Sequence, residues 1–197
     1  MEDQTAELGK YIAKCRSKRH PAVFNTDKQP LLKKGQKNRV LVYAGCFNPP
    51  HLGHYNILRR AFEGSRDINV IAAIILPLDD NSLEAKCKRK GQSLVLSKSE
   101  RAHLWRSDAR FMPEWWVHSS STDRWDRLRR RLEKAVEVDG FEIQFTAVLG
   151  PDYVARYERY DGYCWDCHET ITSDAGRSSD LLKPDGSLFK LRPYFTP

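Results

Sequence analysis

No run of apolar residues in this 197-residue chain approaches the ~20 that a membrane helix needs. Its first twenty residues carry Glu2, Asp3 and Glu7 and no apolar stretch, so the pattern of a secretory signal is missing too. Cysteine is scarce and odd in number: the five, Cys15, Cys46, Cys87, Cys164 and Cys167, do not suggest a disulfide framework. No internal repeat or low-complexity tract is visible. What remains is an ordinary globular composition, 40% hydrophobic and 30% charged, long enough for one domain with a substantial core. The expectation is a soluble intracellular protein, cytoplasmic or nuclear.

Charge is unevenly spread. Residues 1–39 hold ten Lys or Arg against four acids, so all but one unit of the net +7 belongs there. Residues 1–38 therefore read as a basic arm and linker, with a short helix, ahead of a nearly neutral domain at 39–197. Such an arm could touch RNA, an acidic partner or an import receptor, or be a solvated lead-in. Basic runs alone carry little specificity, and nucleic acid is not expected as a partner.

Order begins with Val40–Ala44, a continuous apolar run ended by Gly45, which suits a strand buried on both faces. Helical spacing follows Pro49-Pro50, with Leu58, Ala61 and Phe62 on one side. Asn69–Leu76 is a second buried strand, and the polar stretch from Asp79 to Gly91 reads as a long loop. Ser97 caps a helix, with Glu100 completing a capping box. Trp115–Val117 is a short strand. Asp123 opens a helix with a stripe of Trp125, Leu128, Leu132 and Ala135 under a basic outer face of Arg127, Arg129, Arg130 and Arg131. Phe141–Leu149 is the next strand, and a weaker one runs through Glu169–Ser173. Strands alternating with helices predict an α/β fold, an open parallel sheet in one domain with its ligand beyond the carboxyl ends of the strands.

The loop after the first of these strands reads Gly45-Cys46-Phe47-Asn48-Pro49-Pro50-His51-Leu52-Gly53-His54. Glycine at the strand exit lets a ligand approach the backbone with no Cβ in the way. The prolines stiffen the turn and suit a helix start. His51 and His54 stand three apart at that start, so both project from one face near the positive end of the helix dipole. That end suits a polyphosphate, met by backbone N–H groups and imidazole donors. An imidazolium there also stabilises charge building on phosphoryl oxygens. The competing readings are a metal half-site, for which no third ligand stands at sensible spacing, and plain polar helix-start residues.

This segment resembles the signature of the HxGH nucleotidylyltransferases, and its Phe-Asn-Pro-Pro-His form is most similar to the nicotinamide and nicotinate mononucleotide adenylyltransferases. The resemblance implies a Rossmann-like sheet with helices on both faces. It implies that Gly45, Cys46, Phe47 and Gly53 bind ATP and that His51 and His54 act on its phosphates as the catalytic residues. Lys88-Arg89-Lys90-Gly91 is similar to the family's basic loop, which implies that Lys88 and Lys90 reach the triphosphate. Leu149-Gly150-Pro151-Asp152 looks like the family's strand-exit Gly-x-Asp, with Asp152 on the nucleotide. Thr172–Arg177 resembles the strand leading to an arginine loop, with Arg177 near the second substrate. Trp115 or Trp116 could stack on a flat ring of the substrates, core packing being the other reading. The implied reaction passes AMP from ATP to nicotinamide or nicotinate mononucleotide with Mg²⁺ on the phosphates, a step in NAD biosynthesis. The alternatives are a cytidylyltransferase and a non-catalytic nucleotide-binding protein.

Two departures stand out. The family's Ile-Ser-x-Thr-x-x-Arg segment is not found before Pro197, which predicts a C-terminally truncated chain or a weakened phosphate clamp. Cys164-Trp165-Asp166-Cys167-His168 matches a haem-attachment pattern without an axial partner. As a zinc knuckle it would need a fourth ligand, with Cys87 the candidate; otherwise these are loop residues.

Overall fold

The computed structural model describes residues 4–16, 23–24, 29–150, 164–167 and 169–173. In chain order its elements are β1 (Thr5–Glu7), α1 (Leu8–Cys15), β2 (Leu31–Lys33), β3 (Lys37–Gly45), α2 (Leu52–Glu63), β4 (Val70–Pro77), α3 (Asp80–Arg89), α4 (Lys98–Ser107), β5 (Trp115–Val117), α5 (Thr122–Val138), β6 (Glu142–Leu149) and β7 (Glu169–Thr172), with a single helical turn at Cys164–Asp166. Five strands make one sheet in the order β5-β4-β3-β6-β7, every neighbouring pair parallel. The chain leaves β3 toward one edge through β4 and β5, then returns to the other side of β3 with β6. That reversal puts a topological switch point beside β3, the place where open α/β sheets take their ligands.

Both faces of the sheet are covered, as the continuous apolar runs require. Val40 and Val42 point to one side, into a cluster with α1 and α5; Leu41 and Tyr43 point to the other, into a cluster with α2 and α4. The outer strand β7 is tied to the centre by Arg39, whose guanidinium makes two bonds to Glu169, at 2.7 and 3.0 Å, across the intervening β6. That fork holds the Glu169 carboxyl below its usual range.

The first 38 residues do not stand off the domain where they are described. Leu8, Tyr11 and Ile12, one face of α1 at i, i+3 and i+4, are buried in the cluster with Leu128, Leu132 and Val136 of α5. The Tyr11 hydroxyl donates to Asp139 at 2.5 Å, and burial together with that carboxylate pushes its pKa up to about 12. β1 and β2 pair antiparallel beside them. Fully buried Asn38 fastens the turn after β2, donating to the carbonyls of Lys33, Gln36 and Glu142 and accepting from Lys33 N–H. The surplus of Lys and Arg concealed this apolar stripe, so the basic arm is in its described parts a docked layer.

Two further expectations change. Residues 79–91 are not a loop: ten of them form α3, held by Leu83 and Cys87 on its inner face, with Asp80 in the first turn and Lys86, Lys88 and Arg89 in the last. Arg129 is not on the outer face of α5. It is buried and ion-paired to Glu133 and Asp166, each at 2.7 Å. No helix among the described residues is long and apolar enough to cross a membrane.

Candidate active site

The loop from Gly45 to His54 leaves the carboxyl end of the central strand and enters α2. Phe47 adopts φ 48°, and its buried ring folds back over Gly45. A Cβ on Gly45 would stand 2.8 Å from that ring, which explains the glycine there. Phe47 in turn meets His54 edge to face, with centroids 5.0 Å apart, and packs against Tyr43 and Trp105 at 5.1 and 5.2 Å. Phe47 thus supports the histidine from beneath; it does not present a face to a ligand.

His51 is the residue just before α2 and His54 the third inside it. The His51 backbone N–H donates to His54 Nδ1 at 3.2 Å, one half of a capping box made with imidazoles. An accepting Nδ1 leaves Nε2 as the neutral ring's proton donor. The two rings stack 3.7 Å apart at 30°. A Cβ on Gly53 would lie 3.1 Å from the His51 ring, so this glycine makes room for the pair. We expect Gly53→Ala to fold normally and to weaken nucleotide binding severalfold by pushing that ring aside. Titration with a nucleoside triphosphate checks this, and unchanged affinity would remove the role of the stack.

The rest of the site is held by residues that spacing did not reveal. Asn48 Nδ2 donates to the Leu94 carbonyl and its Oδ1 accepts from Leu96 N–H, both at 2.8 Å, so the segment before α4 is clamped to the histidine loop. Arg101 of α4 is fully buried and acts as a hub. It donates to the carbonyls of Cys46, Leu78 and Leu96 at 2.8, 2.8 and 3.0 Å and to Asp80 Oδ1 at 2.7 Å. The exits of β3 and β4, the start of α3 and the approach to α4 therefore meet at one guanidinium. Lys86 of α3, half-buried, donates to Cys46 Sγ at 2.9 Å, which places an ammonium on the loop itself. Lys88 and Lys90, expected at the triphosphate, are exposed at the far end of α3.

On the same carboxyl edge, Asp79 after β4 accepts from Lys98 Nζ at 2.6 Å and from the Thr122 N–H at the start of α5 at 3.1 Å. Burial alone would raise this carboxyl, yet those hydrogen bonds hold it below its usual range. Beside it, His118 follows β5, 6% exposed, with Trp116 and Trp125 edge to face against its ring and no partner for Nε2. Burial first, and then Lys98, push its pKa down from 6.5 to about 4. The unfolded chain therefore takes up this proton before the folded one does, so stability falls as pH drops from 6.5 toward 4. The expected loss is about 2 kcal/mol between pH 7 and pH 5. Denaturant unfolding across that range should show a much flatter dependence in His118→Gln; an equal slope would contradict it.

Trp115 and Trp116, the candidates for stacking on a substrate ring, are 1% and 8% exposed and belong to the two core clusters on opposite faces of the sheet. They pack the core, because β5 is covered on both sides. Asp152 and Arg177 lie outside the described residues, as does His168 of the Cys-x-x-Cys-His segment. Cys167 is buried, its Sγ 3.7 Å from the Trp165 carbonyl, and Cys87 is buried against Asn48 and Gln92. Among the described residues no three His, Cys, Asp or Glu side chains gather as a metal site.

No curated protein matches the chain. Among solved structures it is similar to a Plasmodium falciparum nicotinic acid mononucleotide adenylyltransferase complexed with NaAD, at 12% identity and a TM-score of 0.38, over 63% of this chain and 57% of that one. It is also similar to a Vibrio parahaemolyticus protein described as a nicotinate-nucleotide adenylyltransferase, at 15% identity and a TM-score of 0.33, over 72% of this chain and 80% of that one. The chain thus spans little more than half the length of the Plasmodium protein. Residues 42–172, from the middle of β3 to the end of β7, match the Cytidylyltransferase-like family. With His51-Leu52-Gly53-His54 at the head of α2, the chain belongs to that family, within the HxGH nucleotidylyltransferase superfamily.

Proposed function

We propose that the protein is a nucleotidylyltransferase that passes AMP from ATP to a pyridine mononucleotide, nicotinamide or nicotinate. A phosphate oxygen of the mononucleotide bonds to the α-phosphorus of ATP, the bond from that phosphorus to the bridging oxygen breaks, and pyrophosphate leaves. No protein nucleophile is needed. The chain's task is to align the two phosphates and to meet the charge that grows on their oxygens.

The stacked His51–His54 pair carries this reading. It stands at the N-terminus of a twelve-residue helix, at the switch point of a parallel sheet, with the Lys86 ammonium fixed on the same loop. The first-turn N–H groups of Leu52 and Gly53 precede any intrahelical acceptor, so they add backbone donors to the imidazoles. In this reading His54 Nε2 donates to a phosphoryl oxygen as charge develops. Imidazole, ammonium and backbone N–H are phosphate ligands, whereas magnesium prefers hard oxygens. A magnesium ion would accordingly be held by the triphosphate, and it would supply positive charge there beside the imidazoles and Lys86.

The test is a coupled assay of pyrophosphate release with ATP and each mononucleotide, with CTP in a parallel arm because the family is named for cytidylyl transfer. Release with ATP and a pyridine mononucleotide supports the proposal. Release with CTP alone replaces it by a cytidylyltransferase, and nucleotide binding with no release makes the protein a non-catalytic binder.

A further inference from the structure

Helix α5 carries a second feature that the nucleotide site does not use. At about 100° per residue, Arg124, Arg127, Arg130, Arg131 and Lys134 fall within about 120° of arc and span about 15 Å of the helix axis. All five are exposed. Among the described residues none of them has a hydrogen bond or an ion pair to a carboxylate. Arg129, the one arginine of this helix that turns inward, has two carboxylate partners. Arg39 and Arg101 likewise have carboxylate partners, and along the outer stripe none is found among the described residues. The acids of α5 sit elsewhere: Asp126 and Glu133 lie off the stripe, and Asp123 and Glu137 stand at its two ends. α1 packs alongside and extends the field, since its exposed Lys14 and Arg131 of α5 both bear electrostatically on Cys15 between them.

We propose that this stripe is a docking surface for the sugar–phosphate backbone of a nucleic acid strand, bound without base selectivity. Four of the five cations are arginines, whose planar forks match phosphate oxygens two at a time. Their spacing presents charge along a line, as a strand presents phosphates. An anionic membrane is the other polyanion of this size, but a helix that lies on a membrane sets large apolar side chains beneath its basic face. Here the apolar face, with Trp125, Leu128, Leu132 and Val136, is already buried against the sheet. The surface does not depend on the nucleotide site.

The experiment is fluorescence anisotropy of a labelled 20-base single-stranded oligonucleotide against the full chain over a salt series. About four phosphate contacts predict a slope of log affinity on log salt of about −3. Arg124→Gln/Arg127→Gln/Arg131→Gln should lose at least tenfold in affinity at low salt and flatten the slope by about 2, with an unchanged unfolding midpoint. Lys33→Gln/Lys37→Gln, which removes two exposed cations outside α5, should bind as wild type does, and saturating ATP with magnesium should leave binding intact. The proposal is overturned by a wild-type slope flatter than about −1, by equal binding of the triple variant, by full competition from ATP, or by tighter binding to phosphatidylserine vesicles than to the oligonucleotide.

Discussion

Replacing His54 with alanine is expected to slow pyrophosphate release by about 10²–10³-fold, the usual cost of removing one preorganised donor from a transition-state oxyanion. The unfolding midpoint should stay close to wild type. The ring sits on the first turn of α2, half-buried, and packs against Phe47, Tyr43 and the stacked His51. Its loss strips the His51 N–H of its Nδ1 acceptor but opens no deep cavity. The effect should fall on turnover more than on nucleotide affinity, because the donor matters most when charge builds. His54→Gln, which retains a donor, should recover part of the rate. Normal turnover in the alanine variant would remove the role assigned to this residue.

The second large effect is on stability. Arg101→Met keeps most of the side-chain volume but takes the guanidinium from the carbonyls of Cys46, Leu78 and Leu96 and leaves the Asp80 carboxylate on the Lys98 N–H. The Asp80 side chain is 44% exposed, so the cost lies mainly in the three carbonyls. At about 1–3 kcal/mol for each acceptor left without its donor, the loss is about 3–5 kcal/mol, which at about 2–4 °C per kcal/mol for a chain of this size lowers the midpoint by roughly 10 °C. Nucleotide binding should weaken as well, even below the new midpoint, since Cys46 belongs to the histidine loop. Arg101→Lys should rescue little, because one ammonium cannot serve four acceptors that lie on three different segments. Thermal and denaturant unfolding of both variants decide this, and a methionine variant as stable as wild type would show that the hub is dispensable.

The sheet was legible because Val40–Ala44, Asn69–Leu76 and Phe141–Leu149 are apolar on both faces, a pattern that polar or amphipathic elements do not share. The histidine loop was legible because glycine, proline and histidine at those spacings serve few other purposes. α3 was not: only Leu83 and Cys87 face inward, and the hydrophilic remainder looks the same in a loop and on an exposed helix. Arg101 escaped for a related reason, since an arginine in a charged helix gives no sign that its turn faces four carbonyl and carboxylate acceptors brought together by tertiary structure. The docking of α1 was hidden by its lysines, because a count of charge ignores which side of a helix carries it. Lys86 could have been found from helical phase alone. Once α3 is a helix, Lys86, three residues after Leu83 and one before Cys87, borders the buried face; Lys88 turns away, and Lys90 lies past the last helical residue.

The central claim is that two stacked imidazoles at the head of α2 grip a triphosphate. Calorimetric titration of the full chain with ATP and magnesium, repeated on His51→Ala/His54→Ala, tests it most directly. The account predicts one site per chain in the wild type and a loss of at least tenfold in affinity in the folded double variant. No heat from the wild type, or equal affinity in both proteins, would contradict it.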